Sequence, residues 1–259
     1  VRPDDRSPAF AAAVLAHWWG EDAPREPGTE PGSGSGSGSV GGIRVVVRDL
    51  PAHRRFQVLR TTGAGGLLTT TPELAAHLRL APGEQLHEAA VARVVEDAAA
   101  VGVHLNGADH VFHLSQPERA AVRAEGSADG VRLLSPEDGD DVAAFAAFGR
   151  AAPPDDAEEA YVELEHWRVV GAFDGDRLVA AASAYPWAGS VLADIGVLTL
   201  PEVRGRGHGR ACVRRLSGAV LAAGHEPLYR CQLDNAASVG LARSAGFTAF
   251  GTWEVVVGD

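Results

Sequence analysis

The chain has 259 residues, 46% of them hydrophobic, which is enough apolar material for a core in one large or two ordinary domains. Its formal net charge of -11 argues against nucleic acid as the main partner, because a phosphate backbone needs a basic footprint, and suits a cationic partner instead. No apolar run approaches the ~18 residues needed to span a bilayer, so no membrane role is expected.

Residues 8–19 read as a short helix that follows Asp4 and Asp5 rather than a basic segment. That is not the pattern of a secretory signal, and a cytoplasmic protein is expected. Residues 24–42, a Pro/Gly/Glu stretch followed by alternating Gly and Ser, have the composition of a flexible coil. Beyond it, 43–47 and 56–59 read as strands, Thr71-Pro72-Glu73 starts a short helix, and 84–101 form a longer one with Leu86, Ala90, Val91, Val94 and Ala98 along one face. Residues 111–114 read as a strand, and the polar stretch 116–130 as a linker. Residues 1–125 are therefore expected to be an α+β unit, either a companion domain or a degenerate copy of the C-terminal half.

From 130 to 259 the elements are clearer. Residues 131–134 form a strand, and Ser135-Pro136 opens a helix with Ser at the N-cap, Pro at the first position and Asp138 in the first turn. Residues 143–148 complete an apolar face. Two strands at 167–173 and 177–184 are joined by Asp174-Gly175-Asp176, a hairpin signal. Residues 191–200 form a strand that feeds Arg204-Gly205-Arg206-Gly207-His208-Gly209-Arg210. The next helix carries Cys212, Val213, Leu216, Ala219, Val220 and Ala223 on one face and stops at Gly224. A strand at 228–233 ends at Asp234-Asn235, either of which can cap a helix over 236–245 that Gly246 closes. Residues 247–257 return as a final strand or strand pair.

The glycine turn reads as a phosphate cradle. Glycines at 205, 207 and 209 let the chain take positive φ and present successive N–H groups, and the following helix adds its dipole and unpaired first-turn donors. A dinucleotide fingerprint fits poorly, since no acidic residue ends the next strand before Asp234. A nucleoside-triphosphate loop is excluded, since it requires a lysine and the chain has none. The ten histidines show no cluster with ligand spacing, so no metal is expected. Cys212 and Cys231 read as buried small hydrophobes rather than a disulfide.

Arg204, Gly207 and Gly209 fill the fixed positions of Arg/Gln-x-x-Gly-x-Gly/Ala, and Asn235-Ala-Ala-Ser238 followed by Gly246-Phe247 fills a second motif. In that order the two motifs resemble the acyl-CoA site of the GNAT superfamily of N-acyltransferases, over roughly 130–259. The resemblance implies a mixed, largely antiparallel sheet flanked by helices, with acetyl-CoA as co-substrate. It implies that the backbone from Val203 to Arg210, including Gly205, Gly207, His208 and Gly209, holds the pyrophosphate, with Arg204 or Arg206 adding charge. The edge of Val197, Leu198 and Thr199 would pair with the pantetheine arm, a bulge near Leu198 would offer an oxyanion donor, and Asn235 and Ser238 would line the cofactor. Asn235 also fits a plain helix cap. Arg60-Thr-Thr-Gly63-Ala-Gly65 repeats the first pattern, but no helix follows it directly, so it is read as a decoy.

Amine acyl transfer needs a base. Candidates are Asp194 on the strand and Glu163 or Glu165 ahead of the hairpin, each of which also fits a solvated or structural carboxylate. Many relatives of the resembled family carry a tyrosine acid seven positions after the helix-starting asparagine, and here that position is Ala242. Tyr161, Tyr185 or Tyr229 could substitute, or the thiolate, with a pKa of ~8.5, could leave unaided. Asp155, Asp156, Glu158, Glu159, Glu163 and Glu165 form either a solvated face or a lure for a cationic small-molecule or peptide amine. Tyr185-Pro186-Trp187 fits an aromatic wall or core packing. Three functional readings are open: an N-acetyltransferase acting on a primary amine, a non-catalytic acyl-CoA-binding sensor or scaffold, and a transferase of the same fold that moves a longer acyl chain.

Overall fold

A computed structural model describes residues 7–19, 42–62, 65–126 and 128–257. Apart from Gly42, the expected coil at 24–42 lies outside the described residues. In chain order the elements are α1 (Pro8–Trp19), β1 (Ile43–Val47), β2 (Phe56–Thr61), β3 (Gly66–Thr70), α2 (Pro72–His77), β4 (Gln85–Leu86), α3 (Glu88–Ala100), β5 (Asp109–Leu114), α4 (Gln116–Ala124) and β6 (Val131–Leu134). They continue with α5 (Gly139–Ala151), α6 (Pro154–Ala160), β7 (Arg168–Asp174), β8 (Arg177–Pro186), β9 (Leu192–Thr199), α7 (His208–Ala222), β10 (Glu226–Gln232), α8 (Ala236–Ser244) and β11 (Phe247–Val255).

The chain divides into two compact units. One comprises Phe112–Thr248 with the described residues up to Ala13, and the other Val14–Val111 with the described residues from Ala249 onward. The division drawn from sequence, at 125 and 130, differs in three segments, the first being the described residues up to Ala13, which go with the larger unit. Residues 112–125 go with the larger unit, and the last strand goes mostly with the smaller one.

In the smaller unit β1 pairs parallel with β3 and antiparallel with β4, while β2 pairs antiparallel with both β3 and β11. Ile43, Val45, Phe56, Leu68 and Val91 share its core. The helix expected over 84–101 is shorter. Gln85 and Leu86 are drawn into a strand by β1, and the His87 ring accepts the Ala90 N–H at 3.2 Å to cap a helix that begins at Glu88. The Arg60 repeat of the glycine pattern falls in the β2–β3 hairpin, with Arg60 bonded to Glu88 and Glu254; Gly63 lies outside the described residues.

The larger unit carries a mixed, largely antiparallel sheet flanked by helices. β6, β7, β8 and β9 run antiparallel in sequence order, and β10 joins β9 in parallel. Helix α7 packs on β7, β8 and β9 and against α4, with the Cys212 thiol 3.6 Å from the Ala180 carbonyl. On the other side, Phe148 of α5 shares a core with Val179, Ala181 and Leu198.

Two expectations fail here for identifiable reasons. The polar stretch after Gln116 is a helix rather than a linker. Its Val122 is buried, Arg119 forms a two-pronged pair with Glu226, and the segment is itself amphipathic, with Ser115 at the N-cap, a proline at the helix start and Glu118 in the first turn. Ser135-Pro136 does not open α5. Asp138 does, because its carboxylate accepts the amides of both Asp140 (2.9 Å) and Asp141 (3.3 Å), and Ser135 instead donates its N–H to Asp141. The tail forms one strand, β11, rather than two.

Candidate functional site

The site is built where β9 and β10 part. Their parallel pairing runs from Glu226↔Leu192 to Tyr229↔Ile195 and stops, while β9 remains paired with β8 as far as Thr199. Glu226 donates to the Val191 carbonyl and Leu200 donates to the Val179 carbonyl. Backbone groups alternate sides along a strand, so odd-numbered β9 residues turn toward β10 and even-numbered ones toward β8. Past Ile195, the amides of Val197 and Thr199 therefore face the gap. Leu198 does not: its N–H points to β8 and its side chain is in the core. The β8–β9 register is continuous, so the bulge expected near Leu198 is absent from this ladder; the irregularity in the sheet lies at Ala172/Phe173 of the β7–β8 pair.

Beyond β9 the chain makes a single 3-10 turn, Pro201–Val203, and enters α7 through the glycines. Gly205 and Gly207 take φ of 78° and 90°, a region costly for any side chain, and a Cβ at either would meet no atom within 4 Å. Gly209, expected to share that conformation, lies inside α7 instead. Its constraint is contact, since a Cβ there would sit 2.7 Å from Thr199 Oγ1. The first helical bond is Ala211 N–H to the Gly207 carbonyl, so the amides of His208, Gly209 and Arg210 lie ahead of it, and no side chain caps them. This combination of an open turn, first-turn amides and neighbouring arginines fits a diphosphate.

The arginines are placed unequally. Arg204 folds back, donating to the Thr199 carbonyl (3.1 Å) and to Asp156 of α6 (2.7 Å). Arg210 donates to the Ser244 carbonyl at the end of α8 (2.8 Å), and Arg206 is exposed on the turn. Across the gap, Asn235 caps α8 by accepting the Ser238 amide at 2.9 Å, and its own amide donates to Glu159 of α6 at 2.7 Å. Ser238 Oγ lies 2.8 Å from the Tyr229 hydroxyl. Helix α6, read from sequence only as an acidic run, thus contacts residues on both sides of the opening. Gly196 admits it: a Cβ there would lie 2.2 Å from the Ala160 carbonyl.

On the α6 face of β8 and β9 lies a polar cluster. Asp194 is buried, accepts from the Arg230 guanidinium (2.6 and 3.1 Å) and receives the Tyr185 hydroxyl at 3.2 Å. Burial and the Asp194 charge push the Tyr185 phenol well above its ordinary range. Burial also pushes Tyr229 up to about 12. Arg230 lies over the Trp187 ring at 4.6 Å, and Tyr185 meets Tyr161 edge-on and His166 at a tilt, so the aromatic segment 185–187 belongs to this cluster. Glu165 is exposed. Ala242 is fully buried within α8.

His166 escaped the sequence reading. Its Nδ1 is 2.8 Å from Ser183 Oγ, its Nε2 is 3.5 Å from Glu163, and its ring lies 5.0 Å from both Tyr161 and Tyr185. Ser183 stands opposite Gly196 in the β8–β9 register, so the ring hangs beside the first β9 residue past the β9–β10 pairing. No spacing announces this. Ser183 is 17 residues away and is brought to His166 only by the β7–β8 hairpin.

Residues 132–247 match the model of the Acetyltransferase (GNAT) family. The match supports the GNAT superfamily for the C-terminal half of the chain, and the general chemistry of that family is acyl transfer. Among solved structures, a GNAT-family protein from Novosphingobium aromaticivorans aligns at 22% identity over 59% of this chain and 64% of its own, with a TM-score of 0.46. A GNAT-family acetyltransferase from Colwellia psychrerythraea aligns at 16% identity over 63% and 61%, with a TM-score of 0.44. A GCN5-related N-acetyltransferase from Sphaerobacter thermophilus aligns at 16% over 65% and 56%, with a TM-score of 0.42. The alignments thus span less than two thirds of each of these chains. No curated protein matches the sequence.

Proposed function

We propose that the larger unit transfers an acetyl group from acetyl-CoA to a primary amine of a small molecule or peptide. The observation that carries this reading is the unpaired β9 edge at Val197 and Thr199 running directly into the glycine turn at the start of α7. A strand-like pantetheine arm has amides to pair with there, and a diphosphate has the turn and the first-turn amides of His208, Gly209 and Arg210. Arg206 and Arg204 supply charge, Arg204 once it leaves Asp156, and Asn235 and Ser238 line the β10 side of the opening. Acetyl-CoA, bound there, supplies the acyl group as an activated thioester. The Val197 amide is placed to stabilise oxyanion charge, which replaces the role expected of Leu198. The exposed carboxylates of α6 and the loop after it, with Tyr161, favour a cationic acceptor. Among the described residues no helix is long and apolar enough to cross a membrane. Dependence on acetyl-CoA favours a cytoplasmic location.

The test is titration calorimetry with acetyl-CoA, followed by measurement of CoA release over a panel of primary amines. Binding with turnover on at least one amine is expected, and absence of binding heat would sink the assignment. A second reading, a non-catalytic acyl-CoA sensor, is favoured by two observations: Ala242 has no acidic proton to give, and Asp194 is committed to Arg230. Tight binding with no turnover on any amine would support that reading instead.

A further inference from the structure

We propose that His166 is the catalytic proton acceptor of this site, with Nε2 receiving the proton of the attacking nitrogen and Ser183 fixing the ring through Nδ1. The inference rests on the acyl-transfer reading and names the base it requires.

Geometry separates His166 from the other candidates. Asp194 already accepts from Arg230 and Tyr185, so its carboxylate is engaged by those donors. Glu165 is exposed, and among the described residues no contact holds its carboxylate toward the cleft. His166 is held from three sides. Leu164, two residues earlier, is buried and anchors the loop, Ser183 bonds Nδ1, and Tyr161 meets the ring edge-on while Tyr185 lies tilted against it. Its side chain is 10% exposed, so it is not sealed from the cleft.

The two ring nitrogens are not equivalent. Nδ1 to Ser183 at 2.8 Å is a full hydrogen bond, whereas Nε2 to Glu163 at 3.5 Å exceeds hydrogen-bond length. Ser183 Oγ can accept from an Nδ1–H, and in that tautomer the Nε2 lone pair is available to take a proton. The charged and titratable groups facing the ring are Glu163 and Glu165 from its own loop, Tyr161 from the end of α6, Tyr185 beside Ser183 on β8, and Asp194 on β9. Burial lowers the ring's proton affinity and outweighs the three carboxylates, which keeps it neutral and available at pH 7. Once a proton arrives, Glu163 is near enough to stabilise the imidazolium.

The step balances. The amine nitrogen forms a C–N bond to the acyl carbon, and the C–S bond breaks with its electron pair leaving on sulfur as CoA thiolate. The proton lost by the nitrogen goes to Nε2, from which it passes to the thiolate or to water.

The experiment uses the full chain with His166→Gln, His166→Asn and Glu163→Gln. His166→Asn keeps an amide donor for Ser183 and controls for loss of structure. Both histidine variants should keep the wild-type thermal midpoint and bind acetyl-CoA within about twofold, while kcat falls on the order of 100-fold and the acid limb of the rate profile flattens. Glu163→Gln should shift that limb to lower pH. Independently of turnover, ring 1H–15N spectra, identified by signals lost in His166→Gln, should show a neutral ring protonated on Nδ1 at pH 7. Wild-type kcat with an unchanged acid limb in the variants, or a ring that is charged or protonated on Nε2, would overturn the proposal while leaving acyl transfer standing. Wild-type protein that binds acetyl-CoA but acetylates no amine would overturn both.

Discussion

Arg204, the leading residue of the glycine turn, lies 2.7 Å from Asp156 of α6, so the guanidinium best placed to meet a phosphate already holds a carboxylate. Glu159 of the same helix holds Asn235 across the gap in the same way. Anionic ligands entering the cleft must compete with both. The double variant Asp156→Ala/Glu159→Ala is therefore expected to bind acetyl-CoA more tightly, by several-fold up to about tenfold, and most clearly at low salt. Its stability should change by less than about 1 kcal/mol, since exposed pairs contribute little. Calorimetry at two ionic strengths checks this, and weaker binding would mean that α6 supports the ligand rather than displacing it.

Gly207 and Gly209 should fail in different ways. Gly207 has a positive φ but open space around it, so Gly207→Ala should cost about 1–2 kcal/mol through backbone strain and weaken acetyl-CoA binding by tilting the first-turn amides. Gly209 is helical but touches Thr199, so Gly209→Val should push α7 away from β9 and lower stability by about 1–3 kcal/mol. Urea unfolding with parallel binding measurements separates the two, and identical behaviour would refute the distinction.

Asp194 and Arg230 form a largely buried pair, with side chains 7% and 20% exposed. Removing the negative partner leaves a guanidinium with one fewer acceptor in a poorly hydrated place. Asp194→Asn is expected to cost about 2–3 kcal/mol of stability, below the full cost of a completely buried pair because Arg230 keeps partial solvent access. A denaturation midpoint unchanged from wild type would show that the pair is not structural.

Asp141 gives a pH signature. Its carboxyl is buried, pairs with Arg132 at 2.5 Å and accepts the Ser135 amide at 2.9 Å, and the Arg132 bond holds its pKa below the ordinary 3.8. A carboxylate with a depressed folded-state pKa adds stability that is present above its unfolded value and is lost as pH falls through the folded value. Wild type should therefore exceed Asp141→Asn in thermal midpoint at pH 5–7, and the gap should close as pH drops below about 4. A gap that persists undiminished at pH 2 would contradict this origin.

Residues 205–210 and 235–238 could be read from the chain because the forces that shape them act over a few residues. Glycine φ preference, an asparagine accepting the amide three positions on, and the 3.6-residue apolar repeat of α7 do not need the rest of the molecule. The misplaced start of α5 is a contest between two plausible caps, Ser135 and Asp138, which Asp138 wins by accepting the Asp140 and Asp141 amides while Arg132 and the Ser135 amide hold Asp141. Tertiary structure alone decided that β9 and β10 would separate after Ile195 and that α6 would reach Arg204 and Asn235. It alone brought His166 to Ser183. Those outcomes depend on groups tens of residues apart, whose bonds form only after hairpins and crossovers close, and a linear pattern carries no record of which distant partner will arrive.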